Sequence, residues 1–299
     1  MLEKLYFWKG GGGGMSTLIR ILVIFLIVML LLCAGGGAYW YYYIKLPADE
    51  SLAQQQQAAD ALKADIASVR SWYEKALEGA DIKSGMHILD ELYRAQIPLR
   101  VLHLRLKGIE YSCTLKACQL ALEFEPGAIV TQPEINFFGK GYQPSFPIGK
   151  GKNSTGKTTS LIYNNMVVKV ENNALLSAYK KGKPLELYAC DEVISYIKTY
   201  NSMLSSGKGK SATGEIVYKS LPASSITDKA KRLSGQVKSY DMLSADWTME
   251  LKGGENNEVT EIDAQMALYK QAYREAFLIR KIETLKNGFK VSGGLVCKA

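Results

Sequence analysis

One octapeptide in this chain has the spacing of a catalytic motif. Residues 151–158 read GKNSTGKT. They fit G-x-x-x-x-G-K-[ST], the loop whose backbone amides cradle phosphates while its lysine reaches the outer ones. That chemistry needs a buried strand to deliver the loop and a helix N-terminus behind it to aim amides and dipole at the phosphates. The flanks supply neither. Upstream, YQPSFPIGK contains Pro144 and Pro147, which a central strand does not tolerate. Downstream, TSLIYNNMVVKVE is β-branched and alternating, the pattern of a strand. LYACDE would put Asp191 on a magnesium ion, but no helix-period segment separates it from Lys157 to make a crossover. We therefore expect a flexible basic loop in which Lys157 tolerates replacement by alanine.

The other candidates for chemistry are few. His87 and His103 are the only histidines and read as surface residues, so a triad or a histidine metal site has little to build on. Cys33 lies in an apolar run. Cys113, Cys118, Cys190 and Cys297 remain, an even number. Cys113 and Cys118 flank an inferred hairpin loop, close enough to bridge. Cys190 precedes a helix and Cys297 lies on the last strand, where a second bond can form. A metal site made of all four is the alternative, although the chain has no C-x-x-C pair. The reading is of no catalytic residue, no metal and no cofactor.

The elements around these residues explain more. Ile21 to Ile44 contains no charged residue and is long enough to cross a bilayer, ending in the aromatic run YWYYY at Tyr39–Tyr43. A cleaved signal peptide is the competing reading. Lys4, Lys9 and Arg20 precede the span, and after Lys45 the next basic residue is Lys63. This bias favours a cytoplasmic N-terminus, with the bulk of the chain in the bacterial periplasm. Residues 1–20 form a short cytoplasmic end. In it, Leu2, Leu5, Tyr6, Phe7 and Trp8 precede a five-glycine linker, as in a tethered docking peptide; resting in the membrane interface is the other reading. The net charge of +8 is scattered over glycine- and serine-rich loops, with no basic helix bearing interleaved aromatics, so nucleic acid is not expected as a partner.

Residues 49–80 are helix-forming. Leu52, Ala59, Leu62, Ile66, Val69 and Tyr73 fall at alternating steps of three and four once Gln55 is included, a heptad seam. A coiled-coil stalk is one reading, and a helix packed on its own domain is the other. Residues 84–171 read as a first α+β module. It comprises a helix capped by Ser84 and ending before Pro98, a strand at RVLHLRLKG, a strand at ACQLALEFE, a turn-rich loop over 126–160 and a strand at NNMVVKVE. Residues 184–299 read as a second module, with a helix over 191–204, strands at EIVYKSL and DWTMELKGG, a long helix over 261–286 and a closing strand at FKVSGGLVCK. HLRLKG and TMELKG share an alternating pattern ending in Leu-Lys-Gly, a faint echo of two related modules. The class is α+β with helices on one face of a sheet.

A tethered apolar peptide, one span, a stalk and small α+β modules occur together in one group. The chain resembles the inner-membrane alignment proteins of type IV pilus machines, the PilN/PilO type, and within them the PilO-like proteins of type IVb and thin pili. The residues that carry the resemblance are CTLKAC (Cys113 to Cys118), WTMELKG (Trp247 to Gly253) and FKVSGG (Phe289 to Gly294). It implies one or two ferredoxin-like periplasmic modules and a homo- or heterodimer with another pilus inner-membrane protein. It also implies a cytoplasmic actin-like or motor-associated partner for Leu2–Trp8, and no catalysis. The competing functions are a bitopic core component of a type II or type IV secretion system, a membrane-anchored P-loop NTPase using Gly151–Thr158, and a periplasmic binding module. An apolar pocket between the two modules would favour the last.

Overall fold

The computed structural model describes residues 17–102, 105–146, 160–206, 214–219, 225–233, 235–253, 259–286 and 288–299. The chain divides into two units, residues 1–65 and 66–299.

The first unit is helical. α1 (Thr17–Trp40) is followed by a wider π-helical turn, Tyr41–Lys45, and then by α2 (Leu46–Leu77). The wide turn lies just before Pro47, which has no N–H to give to a carbonyl of the preceding turn. From Ile21 to Leu32 the side chains of α1 are exposed and apolar, and Leu52 and Leu62 are exposed on α2.

The second unit is built on one antiparallel sheet of seven strands in the order β5-β2-β1-β8-β9-β7-β6. The strands are β1 (Leu106–Thr114), β2 (Ala117–Phe124), β5 (Ser160–Val167), β6 (Glu215–Tyr218), β7 (Met242–Lys252), β8 (Phe277–Leu285) and β9 (Gly288–Lys298). Alternation works as expected in β2, where Cys118, Leu120, Leu122 and Phe124 are buried, and in β7, where Trp247, Met249 and Leu251 are buried.

The expected division at 172–183 does not divide the sheet. β1, from the first half, pairs with β8, from the second, through Ser112–Glu283, Cys113–Ile282 and Thr114–Lys281. Neither half runs strand, helix, strand, strand, helix, strand in chain order, which ferredoxin-like modules require. The repeated Leu-Lys-Gly is not a structural repeat either, because Leu106 opens β1 whereas Leu251 is near the end of β7.

Helices cover both faces, not one. One core gathers α3 (Ile82–Leu102), α5 (Cys190–Ser206) and α7 (Glu261–Tyr269) around Leu89, Leu99, Val193, Trp247 and Phe277. The other joins the end of α2 to α4 (Ala174–Lys180) and α6 (Ser225–Arg232) around Tyr73, Leu77, Leu176, Leu278 and Val296. Phe277 and Ile279 face the first core and Leu278 the second, so β8 is buried on both sides.

Several local expectations are corrected. α3 begins at Ile82, with the Ser84 amide donating to Asp81 Oδ1 at 2.7 Å, so Asp81 is the capping side chain, not Ser84. α3 also continues through Pro98 to Leu102, because Leu92, Ala95, Gln96 and Leu99 keep its inner face buried past the proline. Residues 261–286 are not one helix. α7 stops at Tyr269, Tyr273 takes a left-handed conformation (φ 52°), and a single 3₁₀ turn leads into β8. The turn-rich 126–160 stretch contains a hairpin of β3 (Ile135–Phe137) and β4 (Lys140–Tyr142), turned by Phe138 and Gly139, both at positive φ. His87 is exposed and rests on Phe138, with ring centroids 5.1 Å apart.

Candidate functional site

Ile21–Tyr43 is one helix long and apolar enough to cross a membrane, with mean hydropathy 2.8. At its far end Tyr39 stacks on Tyr43, and Lys45 Nζ lies 5.9 Å from the Trp40 ring and 6.0 Å from that of Tyr41. An amphipathic collar with one cation is what the headgroup region accommodates. The docking-peptide residues Leu2, Leu5, Tyr6, Phe7 and Trp8 lie outside the described residues, as does the loop Gly151–Thr158.

The seam proposed for a stalk separates into two parts. Val69 and Tyr73 are buried inside their own domain, and Ile66 is half-buried. Tyr73 packs against Trp72, Tyr179 and Tyr240 with ring centroids 5.1 to 5.6 Å apart, so those positions hold α2 to the sheet and are not free for another chain. Leu52 and Leu62 remain exposed.

Arg280, which has no local sequence signal, completes this attachment. β8 and β9 slip by one residue at Arg280, a β-bulge that takes this residue out of the ladder. Its guanidinium reaches the end of α2: Nη2 donates to the Lys75 and Ala76 carbonyls at 2.9 and 3.0 Å, and Nε donates to Glu78 at 2.8 Å. Nη1 meets Asp246 Oδ1 at 3.3 Å. Helix C-termini leave carbonyls without partners and carry partial negative charge, and a cation with forked donors answers both. Gly294 makes the approach possible, since a Cβ there would come within 2.6 Å of Arg280 Nη2. This is a physical reason for glycine in FKVSGG.

Four of the cysteines form two disulfides, Cys113–Cys118 and Cys190–Cys297. The first closes the β1–β2 hairpin, where the two residues face each other. The second pins the start of α5 to β9. Lys298 N–H donates to the Tyr188 carbonyl at 2.8 Å beside it, so the segment before α5 is tied to the last strand twice. Among the described residues, no group of three or more His, Cys, Asp or Glu is placed to hold a metal ion.

Among the described residues there is a cleft of about 730 Å³. Its walls are the start of α3, the start of α4, residues 186–188 and the α7–β8 connection. Ile82, Leu175 and Leu278 supply apolar lining, and Asp81, Lys83, Glu186, Arg274 and Glu275 supply charge. Asn173 holds one corner: its Nδ2 donates to the Leu77 and Gly79 carbonyls, both at 2.8 Å, and its Oδ1 accepts from Leu176 N–H at the start of α4. Tyr188 Oη donates to Glu275 Oε2 at 3.0 Å across another wall. A volume of this size, mostly apolar with a few convergent polar groups, suits a ligand or an inserted side chain. One local signal was missed: Asn173, directly before ALLSAYK, is a helix N-cap.

No protein family, curated protein or solved structure matches the chain.

Proposed function

We propose that the chain is a non-enzymatic, membrane-anchored assembly component of a bacterial envelope machine, the alignment part of a type IV pilus platform. The observation that carries this reading is a pair of exposed apolar stripes. α3 presents Tyr93, Ile97 and Val101 at steps of four, and α7 presents Ile262, Met266 and Tyr269 at steps of four and three. The two helices pack together, with Gln96 Nε2 donating to Glu261 Oε1 at 2.9 Å and Gln265 Nε2 to the Met86 carbonyl at 3.4 Å. Exposed apolar surface on this scale marks sites of protein association. The apolar helix Ile21–Tyr43 and the exposed Leu52 and Leu62 on α2 support the same reading as anchor and coiled-coil contact. In this scheme the N-terminus is cytoplasmic, residues 46–299 are periplasmic, and Leu2–Trp8 docks an actin-like or motor-associated partner.

The test is association. Ile97→Asp with Met266→Asp should dissociate the homo- or heterodimer in nanodiscs without lowering thermal stability, and should abolish piliation in the native host. Retained association in the double variant would sink this reading. A periplasmic reporter fused after Ala299 should be active, and Lys157→Ala should leave assembly intact. Loss of assembly on Lys157→Ala, together with ATP binding by the purified protein, favours the NTPase instead.

A second reading, a periplasmic binding module, is favoured by the cleft, whose walls come from both halves of the sheet domain.

A further inference from the structure

We infer that the cleft binds an extended segment of a partner protein in which a bulky apolar residue is flanked by lysine or arginine; this rests on the binding reading of the cleft. Three observations lead there.

The first is the balance of charge. The chain is basic overall, at +8, yet this cleft is lined by three carboxylates, Asp81, Glu186 and Glu275, against Lys83 and Arg274. Arg274 is already engaged. Its Nη2 donates to the Tyr269 carbonyl at 2.7 Å, its Nε donates to Gln271 at 3.1 Å, and its guanidinium lies 4.7 Å from the Tyr269 ring centroid. It thus serves the C-terminal carbonyls of α7, where a cation is favoured. Three carboxylates against two cations, one of them turned to these carbonyls, leave the lining negative in a basic chain, and such a field attracts cations.

The second is the apolar lining of Ile82, Leu175 and Leu278. An apolar side chain that fills such a surface is removed from water, and one such anchor can hold a short segment.

The third is the backbone of one wall. Residues 183–188 have no regular secondary structure. Among the described residues, no backbone partner is found for the N–H and C=O groups of Leu185, Glu186 and Leu187, whereas the next carbonyl, that of Tyr188, is taken by Lys298. A wall with unpaired backbone groups, fixed at one end by the Cys190–Cys297 bond, is a template for pairing with an incoming strand.

The experiment uses the full chain in phosphatidylcholine nanodiscs, with empty nanodiscs as the blank. Three labelled nine-residue peptides are titrated by fluorescence polarisation. Each has a central phenylalanine, flanked by lysines, by glutamates or by serines. The lysine peptide should bind with a Kd in the micromolar range, about ten-fold or more tighter than the other two. Glu186→Lys, at an exposed position, should weaken it by at least about ten-fold without changing the thermal transition. N-methylation of alternate peptide amides should weaken it similarly. Equal binding of the lysine and serine peptides overturns the charge assignment while leaving an apolar binding site. Unchanged binding after N-methylation overturns the strand pairing. No binding by any peptide at about 1 mM overturns the binding reading as well.

Discussion

Arg280 Nη2 lies 3.0 Å from the Ala76 carbonyl, four residues beyond the point where the chain leaves its 3₁₀ turn and 204 positions away from Ala76 in sequence. A sheet residue therefore terminates the helix that leads into the domain. Removing the guanidinium leaves carbonyls at the end of α2 without their donor in a half-buried place. Arg280→Ala should cost about 2–3 kcal/mol in denaturant unfolding, in line with hydrogen bonds from charged donors. Arg280→Lys should restore less than half, because a point charge cannot serve three carbonyls as a fork does. Hydrogen exchange should rise first over residues 73–80. An Arg280→Ala protein as stable as wild type would contradict the clamp.

The β6 edge is closed by a side chain. Asn201, on α5, accepts from Ile216 N–H at 2.9 Å and donates to the Ile216 carbonyl at 2.8 Å, imitating a neighbouring strand. Open edges invite pairing with another chain. Asn201→Leu should cost about 1–3 kcal/mol and add concentration-dependent light scattering. Asn201→Asp keeps only the acceptor and should fall between the two. An Asn201→Leu protein that stays monodisperse at high concentration would show that the edge is protected by something else.

The sequence was most legible where one face of an element is buried and the other is wet. Trp247, Met249 and Leu251 alternate with exposed or half-buried neighbours, and β7 follows from that pattern. β8 carries no strand signal in the sequence because Phe277, Leu278 and Ile279 are all buried, alternate residues facing each core, which erases the two-residue period. Pro98 suggested a helix end, but burial of Leu99 outweighs the lost hydrogen bond. Hairpin proximity made a Cys113–Cys118 bond possible and left Cys190 and Cys297 open between a second bond and a shared metal site, and the structure supplies the two pairings. The cleft had no local signature, since its lining comes from four segments between Asp81 and Leu278 that meet only through long-range contacts such as the Ala80–Ile279 bridge and the Cys190–Cys297 bond. Arg280 was invisible for the same reason. Its role comes from a bulge, which register alone reveals.

The two disulfides should differ in weight. In the chain-entropy account, a bond spanning 107 residues stabilises by about 4.7 kcal/mol, and one spanning 5 residues by about 2 kcal/mol. Cys190→Ala with Cys297→Ala should therefore lower stability more than Cys113→Ala with Cys118→Ala, as read from urea midpoints. The first pair also fixes the wall at Glu186–Tyr188. Its removal should raise hydrogen exchange there, while removal of the hairpin bond should not. Equal losses for both pairs would rule out the entropic ranking.

Alkaline pH should unfold the sheet domain through its tyrosines. Tyr163 is fully buried on β5, its hydroxyl donating to the Pro133 carbonyl at 2.8 Å, and burial pushes its pKa up to about 12. Tyr111 is also buried, and its pKa is raised first by loss of solvent and then by the Glu261 carboxylate. An unfolded tyrosine ionises near pH 10. The folded chain therefore holds these protons longer than the unfolded one. The contribution is complete below about pH 10 and is lost as pH rises toward 12, by up to roughly 3 kcal/mol for Tyr163. Thermal midpoints should fall across that window, and the phenolate absorbance of the late-ionising tyrosines should appear together with loss of the folded circular dichroism signal. Tyr163→Phe should cost about 1 kcal/mol at neutral pH, through the lost bond to Pro133, yet be less sensitive between pH 10 and 12. If all the tyrosines titrate near pH 10 while the fold stays intact, burial does not control these hydroxyls, and the packing of β5 against Pro133 is not as described.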